Sequence, residues 1–215
     1  MKQFVMNNLT PDDSYNTPTI QMKKISIFLC FLCFLCDMTH AQSLKDLLLK
    51  MPQEVCPSFS EYNLLEIVDN QKNGKPMQTR NQFRTVSTMQ ELTDDYAHLI
   101  LTKNSEKELK LLTKNDGTPI IMVISTVICD SLADSSVAFY DTSWQPLRTL
   151  DYYTLPPVDT FRHVTIDKAT NQLTVSSRHA FRLRTDGSDK PLPPQPVITN
   201  TFRWSTEENR FILND

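Results

Sequence analysis

Glycine is nearly missing from this 215-residue chain, which has three: Gly74, Gly117 and Gly187. Each follows Asn or Asp, so each marks a turn where a positive φ is needed. None remains for a loop that cradles phosphate, because such a loop needs several glycines together to let the backbone approach its ligand. P-loop and dinucleotide-binding functions fall away on that ground. Metal-ligand spacing is lacking too, since the four histidines form no H-x-H or H-E-x-x-H pair. No G-x-S-x-G elbow marks a serine nucleophile. An excess of one charge is also missing: 22 Lys and Arg against 25 Asp and Glu leave a net charge of −3. That balance favours neither nucleic acid nor an acidic membrane surface as partner. Neither a cofactor nor a metal is expected.

Long apolar runs are scarce, and the one present is informative. It extends from Ile25 to Cys36, and as a helix it would be about 18 Å long against a hydrocarbon core of about 30 Å. The run follows Met22-Lys23-Lys24 and precedes Thr39-His40-Ala41, the order of basic, apolar and small-residue regions in a cleavable secretory signal. Met22 is therefore read as the native start and residues 1–21 as an upstream extension. Residues 22–41 form the signal peptide, and cleavage after Ala41 exposes Gln42. Lipid attachment at Cys36 is disfavoured, because Phe34-Leu35 supplies no small residue before the cysteine. The C-x-x-C spacing of Cys30, Cys33 and Cys36 is apolar filler in a segment that is removed, not a redox motif.

Residues 42–215 are enough for one domain with a sizeable core and too few for two comfortable ones. Residues 1–41 hold three Lys and three Asp, so their removal leaves 19 basic and 22 acidic residues and the same net charge of −3. Two cysteines remain, Cys56 and Cys129. In an oxidising compartment they either pair as a disulfide closing a long loop or stay apart as two small hydrophobes.

Helical spacing opens this domain. Ser43-Leu44-Lys45-Asp46 is a capping-box pattern followed by Leu44, Leu47, Leu48 and Met51 until Pro52. A second box, Ser58-Phe59-Ser60-Glu61, introduces Tyr62, Leu65 and Val68, with Leu64 beside them, before Asn73-Gly74 turns the chain. The period then changes to two. Ala97, Leu99 and Leu101 alternate with Tyr96, His98 and Ile100, and Leu109 and Leu111 alternate with Glu108 and Lys110 before the turn signal Asp116-Gly117. Ile120 to Ile128 is almost continuously apolar and β-branched, as in a central strand covered on both faces. Val137 to Tyr140 predicts a short strand leading to a turn at Asp141-Thr142-Ser143-Trp144.

The C-terminal part contains an internal similarity. The stretch from Ile166 to Leu173 matches that from Trp204 to Phe211, with an apolar residue at each end and Asn171 and Asn209 at the same place. Both read as hairpin loops in which the Asn takes the left-handed conformation. Pairing Asp167 with Gln172 then sets Ile166 opposite Leu173 and Val164 opposite Val175, one apolar face. The Pro-rich segment 188–196 between the hairpins cannot join a sheet interior. A propeller would need at least three repeats and no helical start. The expected fold is a two-layer α+β domain: two short N-terminal helices followed by a mainly antiparallel β-sheet of meander and hairpins.

Candidate chemistry is dispersed. His179 shares a strand face with Val175 and reads as a core histidine, while His98 and His163 stand on other strands. Asp130, Asp134 and Asp141 match no calcium-loop template and read as turn formers, as do Asp94 and Asp95. Arg178, Arg182 and Arg184 lie on the polar face opposite His179, with Arg162 on the paired strand. Together they are either a strip for anions or acidic glycans or a solvated face whose charges protect the sheet edge.

Leu92-Thr93-Asp94-Asp95-Tyr96, Lys110-Leu111-Leu112 and the block from Asp134 to Trp144 together resemble an uncharacterised secreted family of Bacteroidales, domain-of-unknown-function family 3256. The resemblance covers most of the exported chain. It implies export in a Gram-negative envelope, periplasmic or extracellular, and supplies no catalytic residues. The expected function is a non-enzymatic binding or interaction module with a protein or glycan partner in the envelope and no stable membrane span after cleavage. The alternative is a secreted hydrolase acting on envelope or dietary polymers.

Overall fold

The computed structural model describes residues 42–129, 132–154, 160–179 and 197–214, all within the compact unit Gln42–Asp215. The upstream extension, the signal segment, Asp130, Arg182, Arg184, Gly187 and the Pro-rich loop 188–196 lie outside the described residues.

Helix α1, Leu44–Leu48, forms where the first capping pattern predicts it. The Ser43 hydroxyl accepts the Asp46 N–H at 3.3 Å and donates to the Asp46 carboxylate at 2.7 Å. Leu44, Leu47 and Leu48 are wholly buried. Helix α2, Glu61–Lys72, starts two residues later than its pattern implies. Its cap is Ser60, not Ser58, and Asn63 completes the box: the Asn63 N–H donates to Ser60 Oγ and the Ser60 N–H to Asn63 Oδ1. Leu64 and Val68 are buried as expected, together with Ile67, but Tyr62 and Leu65 are exposed, so the buried stripe lies to one side of the expected one. Asn63 explains the choice, because its amide also donates to Thr79 Oγ1 at 2.8 Å and to the Arg80 carbonyl at 3.0 Å. A residue that caps the helix and holds the neighbouring strand outweighs generic periodicity. Gly74 ends α2 at φ +63°, with its N–H on the Gln71 carbonyl and the Lys75 N–H on the Asn70 carbonyl. That is the paired hydrogen-bond pattern of a glycine C-terminus.

Seven antiparallel strands follow as a meander: β1 Gln78–Arg80, β2 Val86–Leu92, β3 Tyr96–Thr102, β4 Ser105–Thr113, β5 Pro119–Cys129, β6 Leu132–Tyr140 and β7 Pro146–Leu147. Strands β1, β2 and β7 are not legible from alternation. The continuous apolar run does form the central strand β5. Its Ile121 and Val123 pack with α1 and α2, and its Ile120, Met122 and Ile124 pack on the opposite face. After a short helix α3, Thr149–Tyr152, the strands β8 Thr160–Asp167, β9 Gln172–His179, β10 Ile198–Ser205 and β11 Arg210–Leu213 make a second antiparallel sheet in the order β11-β10-β9-β8.

The second sheet corrects the two-layer expectation. Helices cover one face of the seven-stranded sheet, and Val164, Ile166, Leu173, Val175, Phe202 and Phe211 cover the other. Alternation along β3 and β4 reads as one dry and one wet face, yet both are covered. The described chain is mostly antiparallel sheet with a few short helices, in three layers.

The C-terminal hairpins form as expected. Asp167 pairs with Gln172, Ile166 with Leu173 and Val164 with Val175, and Asn171 and Asn209 have φ of +55° and +54°. Because a Cβ without a helpful side chain costs about 1–2 kcal/mol in that conformation, Asn171→Ala is expected to lower stability by about 1 kcal/mol and Asn171→Gly by less. Urea midpoints at unchanged slope measure the difference.

Candidate functional site

Strand β8 is an edge of the second sheet, and an unprotected edge presents a row of unpaired N–H groups. Here side chains of the first sheet meet that row. The Arg162 N–H donates to Asp134 Oδ1 at 3.3 Å and the Val164 N–H to Ser135 Oγ at 3.0 Å. The Ile166 N–H is directed at the Glu108 carboxylate. Thr126 Oγ1 lies 2.9 Å from Ser135 Oγ. The buried Glu108 and Ser135 thus meet the neighbouring backbone, and the buried Thr126 is satisfied through Ser135. Asp134 is an edge-capping residue in a strand, which corrects its reading as a turn former. Asp141 does form a turn, its Oδ1 accepting the N–H groups of Ser143 and Gln145.

The seam continues along β3 and β4. Lys110, 1 % exposed, donates from Nζ to Asp95 Oδ2 at 2.5 Å and to the Lys168 carbonyl at 2.7 Å, and Lys168 is paired with Glu91. The Tyr96 hydroxyl donates to Glu108 Oε2 at 2.7 Å, and His98 Nε2 lies 3.1 Å from Glu106 Oε2. Burial pushes the Glu108 carboxyl up, against the hydrogen bond from Tyr96 and the nearby His98, which oppose the shift. Tyr96 is itself pushed up by burial and by the Glu108 carboxylate.

A raised carboxyl in the folded state binds its proton more readily than in the unfolded chain. Glu108 therefore contributes most below the ordinary carboxylate range, and the contribution is lost as pH rises through its raised folded value. Glu108→Gln, which keeps the acceptor for Tyr96, is expected to be at least as stable as the parent at neutral pH. The stability difference between the two should narrow on acidification, as read from urea midpoints across pH.

Among the described residues an open hollow lies on the outer face of the second sheet. Val164, Ile166, Leu173 and Val175 point into the core, so register places Phe161 opposite Arg178 and His163 opposite Ser176 on the other face. There Leu132 and Ala133 of β6 and Val197 before β10 close a hollow of about 240 Å³ with Phe161, His163, Ser176 and Arg178. Arg178 and His163 bring cationic and hydrogen-bonding groups, Ser176 a hydroxyl, and the other four an apolar wall.

The same register divides the expected arginine strip. Arg162 stands opposite Ser177, on the face of Val164, whereas Arg178 faces outward beside Phe161. The two do not share a surface, and Arg182 and Arg184 lie outside the described residues. Phe161 and Ser176 were missed as site residues, although the predicted pairing of Val164 with Val175 already places them beside His163 and Arg178. His179 is the last residue of β9.

Cys56 is buried in the helix-side core, Cys129 is exposed at the end of β5, and no disulfide joins them. Burial pushes the Cys56 thiol up despite nearby Lys107, which makes it a poor nucleophile. Among the described residues, no group of three or more His, Cys, Asp or Glu is placed to hold a metal, and no helix is long and apolar enough to cross a membrane.

A family model described as a protein of unknown function, DUF3256, matches residues 37–181, well over half of the chain. The chain belongs to that family. The DUF3256 match takes in the three described helices, the seven-stranded sheet and the β8–β9 hairpin, and with them the Phe161, His163, Ser176 and Arg178 that line the hollow. A solved domain of an uncharacterized protein from Porphyromonas gingivalis W83 shares the fold, with a TM-score of 0.62 and 18 % identity over 80 % of this chain and 97 % of that one. No curated protein matches the sequence.

Proposed function

We propose that this DUF3256 protein is an exported envelope module that binds a partner rather than transforming it, using the hollow on the outer face of the β8–β9 hairpin. The observation that carries the reading is the use of its ionisable groups. Asp134 and Glu108 meet the backbone of β8, and Asp95 and Lys110 hold the β8–β9 turn. These four ionisable side chains are thereby engaged in joining the sheets. The hollow receives an arginine, a histidine and a hydroxyl on an apolar wall, a lining suited to holding a ligand in one orientation.

Export is supported by the n-, h- and c-region order over residues 22–41. The compact unit also begins at Gln42, the residue that cleavage after Ala41 would expose. Leu44 is already tied into the domain by its N–H on the Asp94 carbonyl at 2.6 Å. A hydrolase reading keeps one foothold, the contact of His98 with Glu106.

Intact mass and N-terminal sequencing of the protein recovered from the periplasm and medium of a Gram-negative host test the export claim. A mature start at Gln42 is expected, and an N-terminus upstream of it sinks the processing claim. His98→Gln decides against the hydrolase if partner binding and any polymer turnover are unchanged.

A further inference from the structure

The hollow has a chemistry of its own. Four of its seven lining residues, Leu132, Ala133, Phe161 and Val197, are apolar, and the other three, His163, Ser176 and Arg178, all offer hydrogen-bond donors. Among the described residues no acidic side chain lines it, although the chain as a whole carries a net charge of −3. Arg178 is the charged member of the described lining and donates only, with the Ser176 hydroxyl and the His163 ring beside it, so the polar side of the hollow suits an anion set against an apolar wall.

Size narrows the choice. A dry cavity of about 150 Å³ is enough to hold benzene, so the hollow of about 240 Å³ takes one ring and a small charged group. A planar guanidinium matches the two oxygens of a carboxylate. Arg178, Phe161, His163 and Ser176 all project from paired residues of β8 and β9, and a site on regular strands holds its geometry better than one on loops.

We infer that the hollow binds a small ring-bearing carboxylic acid, with the carboxylate on Arg178 beside Ser176 and His163, and the ring against Phe161, Leu132 and Val197. This rests on the binding reading above and names its ligand class. A phosphate would leave the apolar wall uncovered. A free sugar would set hydroxyls against Leu132 and Val197, where no polar group receives them.

The experiment is a calorimetric titration of the full chain with phenylacetate, phenylacetamide, acetate, galacturonate and inorganic phosphate. Phenylacetate is expected to bind at least tenfold more tightly than each of the other four. Arg178→Gln should weaken phenylacetate at least tenfold and abolish its preference over phenylacetamide, and Phe161→Ala should weaken phenylacetate more than acetate. Thermal midpoints near the parent's are expected of both variants, and Thr174→Ala on the same sheet face is the control expected to leave binding unchanged. Arg178-dependent binding of phosphate or galacturonate in preference to phenylacetate overturns the ligand class but leaves a binding module. Failure of all five probes overturns the ligand class assigned to the hollow and leaves the binding reading of the module to stand or fall on partner binding.

Discussion

Trp144→Ala is expected to destabilise the protein by about 3–5 kcal/mol, the range for removing a large buried aromatic side chain. Trp144 is 4 % exposed in the core shared by the helices and the seven-stranded sheet. Its indole N–H donates to the Leu47 carbonyl at 2.9 Å, and Tyr140 stands 5.7 Å away between ring centroids. The side chain therefore ties the loop after β6 to α1, far apart in sequence. Its backbone is unusual for so bulky a residue, with φ +62°, a conformation costing about 1–3 kcal/mol outside glycine. The turn sustains it: the Trp144 N–H donates to the Asp141 carbonyl, and the Asp141 side chain holds the N–H groups on either side of Trp144. A second variant separates side chain from backbone. Glycine normally costs more than alanine, but at this position Trp144→Gly should be the more stable of the two by about 1 kcal/mol. Equal or lower stability for the glycine variant would show that the left-handed backbone is not retained. Urea midpoints of the two variants decide it.

The same residue shows where sequence reading stops. The turn at Asp141-Thr142-Ser143-Trp144 was legible because Asp bonds its own backbone, a local property. That Trp144 would be buried against α1 was not, since the contact depends on how the meander returns. The two N-terminal helices, the central strand β5 and the C-terminal hairpins were legible for the same reason, each resting on caps, runs or turn residues within a short window. Glu108 and Lys110 failed the test differently. Two charged residues alternating with leucine read as a wet face, and the cover that makes them buried arrives from Ile166 and Lys168, more than fifty positions later. A faint signal was present: Tyr96, Ile100, Leu112 and the whole of β5 are too apolar for a face left in water. The hollow was half legible. Register derived from the Asn171 hairpin placed Val164 opposite Val175, and applying it two residues further would have separated Arg162 from Arg178 at once. What no hairpin register could supply is the part contributed by Leu132 and Ala133, because it depends on how the two sheets meet.

The Lys110 seam yields the second large effect, an asymmetric one. Asp95→Ala is expected to cost about 3 kcal/mol, the low end of the roughly 3–5 kcal/mol for breaking a buried pair from one side. The low end applies because Asp95 is 54 % exposed and water takes over part of its role, whereas the Lys110 ammonium, 1 % exposed, stays behind. Lys110→Met removes the buried charge itself and leaves Asp95 facing solvent, so it is expected to lie within about 1 kcal/mol of the parent. If the two variants cost the same, the lysine is not buried as a charge and the seam is not electrostatic. The pH dependence gives an independent reading. Burial works to raise the Asp95 carboxyl, but hydrogen bonds from Lys110 and Thr93 outweigh it and hold the group below its usual value. A lowered carboxyl stabilises the fold above its unfolded value, and the contribution is lost as pH falls through the lower folded value. Glu108, raised by burial, has the opposite sign. Acidification should therefore weaken the Asp95–Lys110 contact while relieving Glu108, two positions away on β4. The stability gap between the parent and Asp95→Ala is expected to shrink at acid pH, and urea midpoints of the two proteins across pH measure it.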